Sequence, residues 1–197
     1  MSVPAFFAPV PLEKAYRLLN HGPTVLVSSA HAGSVNIMAA AWSCPLDFSP
    51  PKVTVVIDKA TRTRALVEAS GQFVLNLPCQ SIAALTLALG TDSAVDVPDK
   101  LQRHDAHLFS APDIDAPLVQ GCVGWLVCKV VPEPHNQQTY DLFIGEVTHA
   151  FADSRVFRDG HWNFDDQPDA LRTLHYVAGG QFYVTGASLK IDVPESP

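Results

Sequence analysis

Lys52-Val53-Thr54-Val55-Val56-Ile57-Asp58 is the clearest strand in the chain, a β-branched and apolar run entered from Ser49-Pro50-Pro51 and left through Lys59-Ala60-Thr61. Upstream, Thr24 to Ala30 (TVLVSSA) and Val35 to Trp42 read as two extended arms of a hairpin around Ala32-Gly33-Ser34. Before them, Leu12 to Asn20 has helical spacing (Leu12, Ala15, Tyr16, Leu19) and is closed by His21-Gly22-Pro23. Downstream, Arg62 to Ser70 is helical with Gly71 at its C-cap position, and Phe73 to Leu77 is a strand stopped by Pro78. Ser81 to Leu89 is helical with Gly90 as its stop signal, and Pro98 to His104 adds a turn or two of helix. Val123 to Val131 and Tyr140 to Phe151 form a long hairpin across Pro132-Glu133-Pro134-His135-Asn136. Shorter hairpins turn at Asp159-Gly160, within Val156 to Trp162, and at Gly179-Gly180, between Leu174 to Tyr176 and Phe182 to Thr185. Strands dominate and do not alternate with helices, so an antiparallel barrel fits better than a doubly wound sheet, and closure would remove the exposed sheet edges.

With 197 residues, 47% of them apolar and 17% charged, the chain is sized for one domain spanning residues 1–197. A net charge of −7 gives no electrostatic footprint for nucleic acid or an anionic membrane. The longest apolar runs, Leu118 to Val131 and Ile82 to Leu89, fall short of the ~20 residues that span a bilayer, and the N-terminus lacks a positive n-region. Cys44, Cys79, Cys122 and Cys128 form no C-x-x-C pair, which fits a reducing cytoplasm. All four read as buried small hydrophobes, with Cys122 and Cys128 sharing a strand face by parity.

Dinucleotide fingerprints, P-loops, nucleophile elbows and zincin motifs are absent from the sequence. His104-x-x-His107, with Asp99 and Asp105 nearby, reads as a polar turn rather than a metal site, and Asp165-Asp166 as loop surface. Two segments stand out. Asn36-Ile37-Met38-Ala39-Ala40-Ala41-Trp42-Ser43 is either an Ala-rich inner strand or a backbone that a flat ligand approaches closely. Lys59-Ala60-Thr61-Arg62-Thr63 is either an ordinary N-cap with solvated cations or an anion site, where hydroxyls, unpaired amides and two cations meet.

In this order the two segments resemble the flavin reductase-like family of FMN-binding split barrels. The resemblance runs from Leu12 to about Tyr183 and takes in Pro50-Pro51, Phe73-Val74-Leu75-Asn76-Leu77-Pro78, Asp115-Ala116-Pro117-Leu118, Leu142 to Val147, His175, Gly179-Gly180 and Tyr183. It implies a mainly β fold, a six-stranded antiparallel Greek-key split barrel with a few peripheral helices, assembled as a homodimer. By motif position, Asn36, Met38, Ala39, Ala40, Ala41, Trp42 and Ser43 would line the isoalloxazine and ribityl chain, and Lys59, Thr61, Arg62 and Thr63 would hold the phosphate. The cofactor implied is FMN, with FAD the alternative, and no metal. Ala39 and Ala41 depart from the Thr or Ser that members often carry, and Tyr140 from a frequent His.

The resemblance further implies an NAD(P)H:flavin oxidoreductase, in which NADH or NADPH passes a hydride from nicotinamide C4 to flavin N5 and electrons go on to free flavin, a monooxygenase partner or another acceptor. A flavoredoxin-type electron carrier is the alternative. His175 is the candidate catalytic residue, either orienting the nicotinamide or protonating reduced flavin, and Glu146, inside an apolar strand, is expected to need an ion-pair partner.

Overall fold

A computed structural model describes residues 3–19, 24–112 and 114–191. In chain order the strands are β1 (Phe7–Val10), β2 (Val25–His31), β3 (Ser34–Ala40), β4 (Ser43–Phe48), β5 (Pro51–Val56), β6 (Gln72–Leu77), β7 (Leu108–Phe109), β8 (Leu118–Val119), β9 (Gly124–Val131), β10 (Leu142–Asp153), β11 (Phe157–Arg158), β12 (His161–Trp162), β13 (Leu174–Ala178) and β14 (Gln181–Val184). The α-helices are α1 (Arg62–Ser70), α2 (Ala83–Thr91), α3 (Lys100–Arg103) and α4 (Pro134–Thr139).

One antiparallel sheet runs β3-β2-β6-β9-β10-β5-β4, with β1 added against β10. Its curl is visible in the core. Val25 and Val27 of β2 share a buried cluster with Val53 and Val55 of β5, although four ladders separate the two strands. Phe73, Leu75, Leu126, Cys128 and Phe143 complete that interior. Gly145 is required there, because a Cβ on it would lie 2.5 Å from Phe73 Cζ and 2.8 Å from Cys128 Cβ. The alternate residues Leu26, Ile37, Val74, Trp125 and Val127 face outward into a second cluster, closed over by Leu89, Phe109, Leu118 and Val119.

The expected closure of all edges does not occur: β3 and β4 end the ladder and do not pair with each other. Hairpin turns fall where the sequence put them, with Ala32 and Gly33 at φ 48° and 77°, and Asp159 and Gly160 at 52° and 77°. Helix α1 also matches, capped by Thr61 at one end and by Gly71 at φ 69° at the other. Residues Leu12–Leu19 form the expected short helix, wound as a 3-10 helix, and Asn20 with the His21-Gly22-Pro23 turn lies outside the described residues. Other expectations are corrected. Helix α2 continues through Gly90 to Thr91, and a short helix, α4, interrupts the connection before β10. Cys44 is exposed, and Cys122 and Cys128 fall in different clusters because Cys122 precedes the strand that carries Cys128. Glu146 is exposed on β10 and makes no ion pair among the described residues; Lys52, its register partner, instead bonds Asp47 at 2.8 Å.

Candidate functional site

The two segments singled out from sequence are joined by one buried bond. Asn36, 3% exposed on β3, donates from Nδ2 to Oγ1 of Thr63, fully buried in the first turn of α1, at 2.9 Å. Thr63 therefore spends its side chain holding β3 to α1. Around the start of α1, the Asp58 carboxylate accepts from Ala60 N at 2.7 Å, Asp58 O accepts from Thr61 N at 3.0 Å, and Thr61 Oγ1 accepts from Arg64 N at 3.2 Å. The amides of Arg62 and Thr63, first in the helix, have no partner within it. Lys59 and Arg62 are exposed beside them, and Arg62 Nη2 lies 3.5 Å from Ser34 Oγ. Two amides and two cations at one helix start suit an anion such as a phosphate.

Arg64, one residue further on, serves the fold. Its buried guanidinium donates to Glu68, Asp141, Ile57 O and Gln137 O, and lies 4.6 Å over the Phe143 ring. It ties α1 to β5 and to the α4 connection, which fixes the direction in which the amides of Arg62 and Thr63 point.

Along β3, Met38 and Ala40 pack toward the barrel interior and Ala39 toward α2. Among the described residues β3 pairs with β2 alone, so the other edge of its backbone carries no ladder partner there. Beyond Ala40 the strand breaks. Trp42 is 75% exposed, its carbonyl accepting from Val56 N, and Ser43 resumes the chain in β4. Ser43 Oγ is buried without a hydrogen-bond partner, the one such side-chain atom among the described residues. An unsatisfied buried hydroxyl costs about 1–3 kcal/mol, so a ligand that bonded it would recover that energy.

A cavity of ≈ 200 Å³ adjoins this stretch, lined by Thr24, Ala39, Ala40, Ala41, Thr86, Leu87, Gly90, Thr91, Tyr176 and Phe182. None of these side chains is charged. The β13–β14 hairpin forms its outer wall and is docked by Thr24, whose Oγ1 accepts from Tyr176 N at 2.6 Å. Tyr176 and Phe182 are register partners with ring centroids 5.1 Å apart. His175 pairs with Tyr183 on the alternate, exposed face of that hairpin and does not line the cavity. Sequence reasoning missed Thr24, Thr86, Gly90, Tyr176 and Phe182. Only the alternation of Tyr176 and Phe182 about Gly179-Gly180 could have signalled a shared face.

The other candidates are occupied elsewhere. His104 Nε2 is 2.7 Å from Asp92 and His107 Nε2 is 3.1 Å from Asp105, and among the described residues no group of three or more His, Cys, Asp or Glu could hold a metal. Asp165 accepts from the Ser188 backbone and hydroxyl, which lowers its pKa below the ordinary carboxylate value.

The flavin reductase like domain matches residues 17–183 of the chain. The uncharacterized protein YddH of Escherichia coli K12 is 44% identical over 183 residues, covering 91% of this chain and 95% of YddH. The crystal structure of an FMN-binding domain of a flavin reductases-like enzyme from Shewanella baltica is 53% identical, with a TM-score of 0.94, and covers 97% of this chain and 100% of that one. Flavoredoxin of Desulfovibrio vulgaris shares the fold at 24% identity and a TM-score of 0.72, over 88% of this chain and 92% of that one. The curled antiparallel sheet is the split barrel of these relatives. No helix among the described residues is long and apolar enough to cross a membrane.

Proposed function

The chain belongs to the flavin reductase like domain family, and on that premise we propose that it is an FMN-dependent NAD(P)H:flavin oxidoreductase, a single domain over residues 1–197 that works as a homodimer. The carrying observation is Ser43, a buried hydroxyl with no partner of its own at the break between β3 and β4. Bound FMN would supply hydride acceptance at its N5 and release of electrons to free flavin or a monooxygenase partner.

The residues present fit that group, and their share is binding and orientation. The unpaired edge of β3 and the main chain of Ala39 to Ala41 offer donors and acceptors to the edge of a ring, and the small side chains admit close approach. Ser43 supplies a hydroxyl. Lys59, Arg62 and the amides of Arg62 and Thr63 take the phosphate, with Thr61 capping the helix that presents them. Asn36 and Thr63 hold the ring end and the phosphate end in register. Trp42 is exposed beside the site, where its indole can cover one face of a planar ligand.

A second copy is favoured by β4, an end strand with Leu46 and Phe48 at 52% and 68% exposure, and by Trp42 just before it at 75%, next to the flavin-lining stretch. The four free thiols, three of them buried, suit a reducing compartment such as the cytoplasm. The test is a visible spectrum of the purified protein, followed by NADH and NADPH oxidation with and without added flavin. Yellow protein or FMN-quenched fluorescence with turnover is expected. A colourless preparation that no FMN titration quenches refutes the reading, and tightly held FMN without turnover moves it to a flavoredoxin-type carrier.

A further inference from the structure

Gly90 lies inside α2, where glycine weakens a helix, and does not end it. Its place is explained by what it faces. A Cβ on Gly90 would stand 2.9 Å from Ala39 Cβ, closer than real Cβ atoms approach, and the Ala39 methyl is not the yielding tip of a long side chain. Ala39 is itself the smallest side chain that β3 can carry without another glycine. Both residues border the ≈ 200 Å³ cavity, and the cavity is continuous with Ala40 and Ala41.

We propose that Gly90 is a positioning residue for the flavin: its bare backbone lets α2 seat directly against β3 at Ala39, and this contact sets the placement of the Ala39–Ala41 main chain and the width of the cavity beside it. The proposal rests on the flavin reading above. A methyl group at position 90 cannot be absorbed by a rotamer change, so β3 must shift, α2 must lift, or both. Either movement displaces the backbone that meets the ring more than it displaces the start of α1, which is anchored by the Thr61 cap and by Arg64 to Ile57, Asp141 and Gln137, on neither β3 nor α2. The folded apoprotein feels two opposing effects: alanine favours the helix, and the crowded contact opposes it. Apoprotein stability therefore changes little while flavin affinity falls.

The experiment compares wild type, Gly90→Ala, Ala39→Gly and the double variant by FMN titration, by the visible spectrum of bound flavin and by thermal unfolding of the apoproteins. Gly90→Ala is expected to weaken FMN by about 10-fold or more and to alter the bound spectrum, at nearly unchanged apoprotein melting temperature. In the Ala39→Gly background, where the opposing Cβ is gone, the same substitution should cost much less. Equal FMN affinity in wild type and Gly90→Ala overturns the proposal, as does an equal loss in both backgrounds. If Gly90→Ala fails to fold, the double variant should fold and bind; its failure also overturns the proposal. A wild type that takes up no FMN overturns the flavin reading itself, and is told apart from these outcomes by the first titration.

Discussion

Replacing Asn36 by alanine should destabilise the protein by about 1–3 kcal/mol, through a bond whose partner lies 27 residues away in sequence. Asn36 is 3% exposed, Thr63 is fully buried, and 2.9 Å separates the bonded atoms. The net worth of a neutral hydrogen bond is about 0.5–1.5 kcal/mol, and stranding the Thr63 oxygen and opening a small void raise the cost toward the upper end of the range. Thr63→Val, nearly isosteric, strands the Asn36 amide instead and should cost a similar amount. In the double variant neither group is left with an unmet partner, so the combined loss should fall short of the sum by about 1–2 kcal/mol. Urea unfolding of the four proteins reads this directly, as midpoint shifts at a common slope. Losses that add to within about 0.5 kcal/mol would refute the claim that this bond joins β3 to α1. Because Asn36 binds the two ends of the proposed flavin site together, FMN affinity should fall in each single variant as well.

Arg62→Ala should weaken FMN by roughly 10- to 100-fold and riboflavin hardly at all, since a hydrogen bond to a charged group contributes about 1.5–3 kcal/mol and only FMN carries the phosphate; equal losses, measured by fluorescence quenching, would misplace the phosphate. Ellman's reagent should titrate one thiol in the native protein, Cys44, and all four in denaturant, because Cys79, Cys122 and Cys128 are buried and burial pushes the Cys122 and Cys128 thiols well up from their ordinary pKa. Light scattering behind a sizing column should give twice the 21.3 kDa of one chain, and Leu46→Lys with Phe48→Lys on β4 should release single chains; a wild type of one chain's mass that retains FMN would refute the dimer.

What the sequence made legible was governed by local rules. Lys52 to Asp58 could be read because Val53, Val55 and Ile57 are fully buried at every second position. The turns at Ala32-Gly33 and Asp159-Gly160 could be read because two-residue hairpins demand positive φ. Strand β4 escaped notice because Pro45 sits inside it, its register shifts between Pro45 and Asp47, and most of its side chains are exposed, so no alternation marks it. Gly90 was misread as a stop because composition cannot distinguish a glycine that ends a helix from one that admits a neighbouring strand. The candidate site divides the same way. Its segments announce themselves by residue type, whereas the Asn36–Thr63 bond and the orphaned Ser43 hydroxyl depend on packing between segments remote in sequence.

The incomplete closure of the barrel and the position of the candidate site have one physical origin. A closed ladder would satisfy the outer edge of β3 with another strand and leave no main chain for a ligand. Here β3 ends the sheet, so its alignment comes from the β2 ladder on one edge and from side-chain contacts in place of a second ladder. Near its start the Asn36 amide is held by Thr63 of α1; near its end Ala39 rests on Gly90 of α2; between them Ile37 and Met38 pack into opposite clusters. These restraints are side-chain contacts, and they leave the outer edge of the strand without a hydrogen-bonded neighbour among the described residues. They also stop at Ala40, just before the exposed indole of Trp42 and the unsatisfied hydroxyl of Ser43. A ligand that pairs with this edge and reaches Ser43 would therefore meet a rigid surface and lose little affinity to ordering it, which is the condition for tight binding through a modest number of polar contacts.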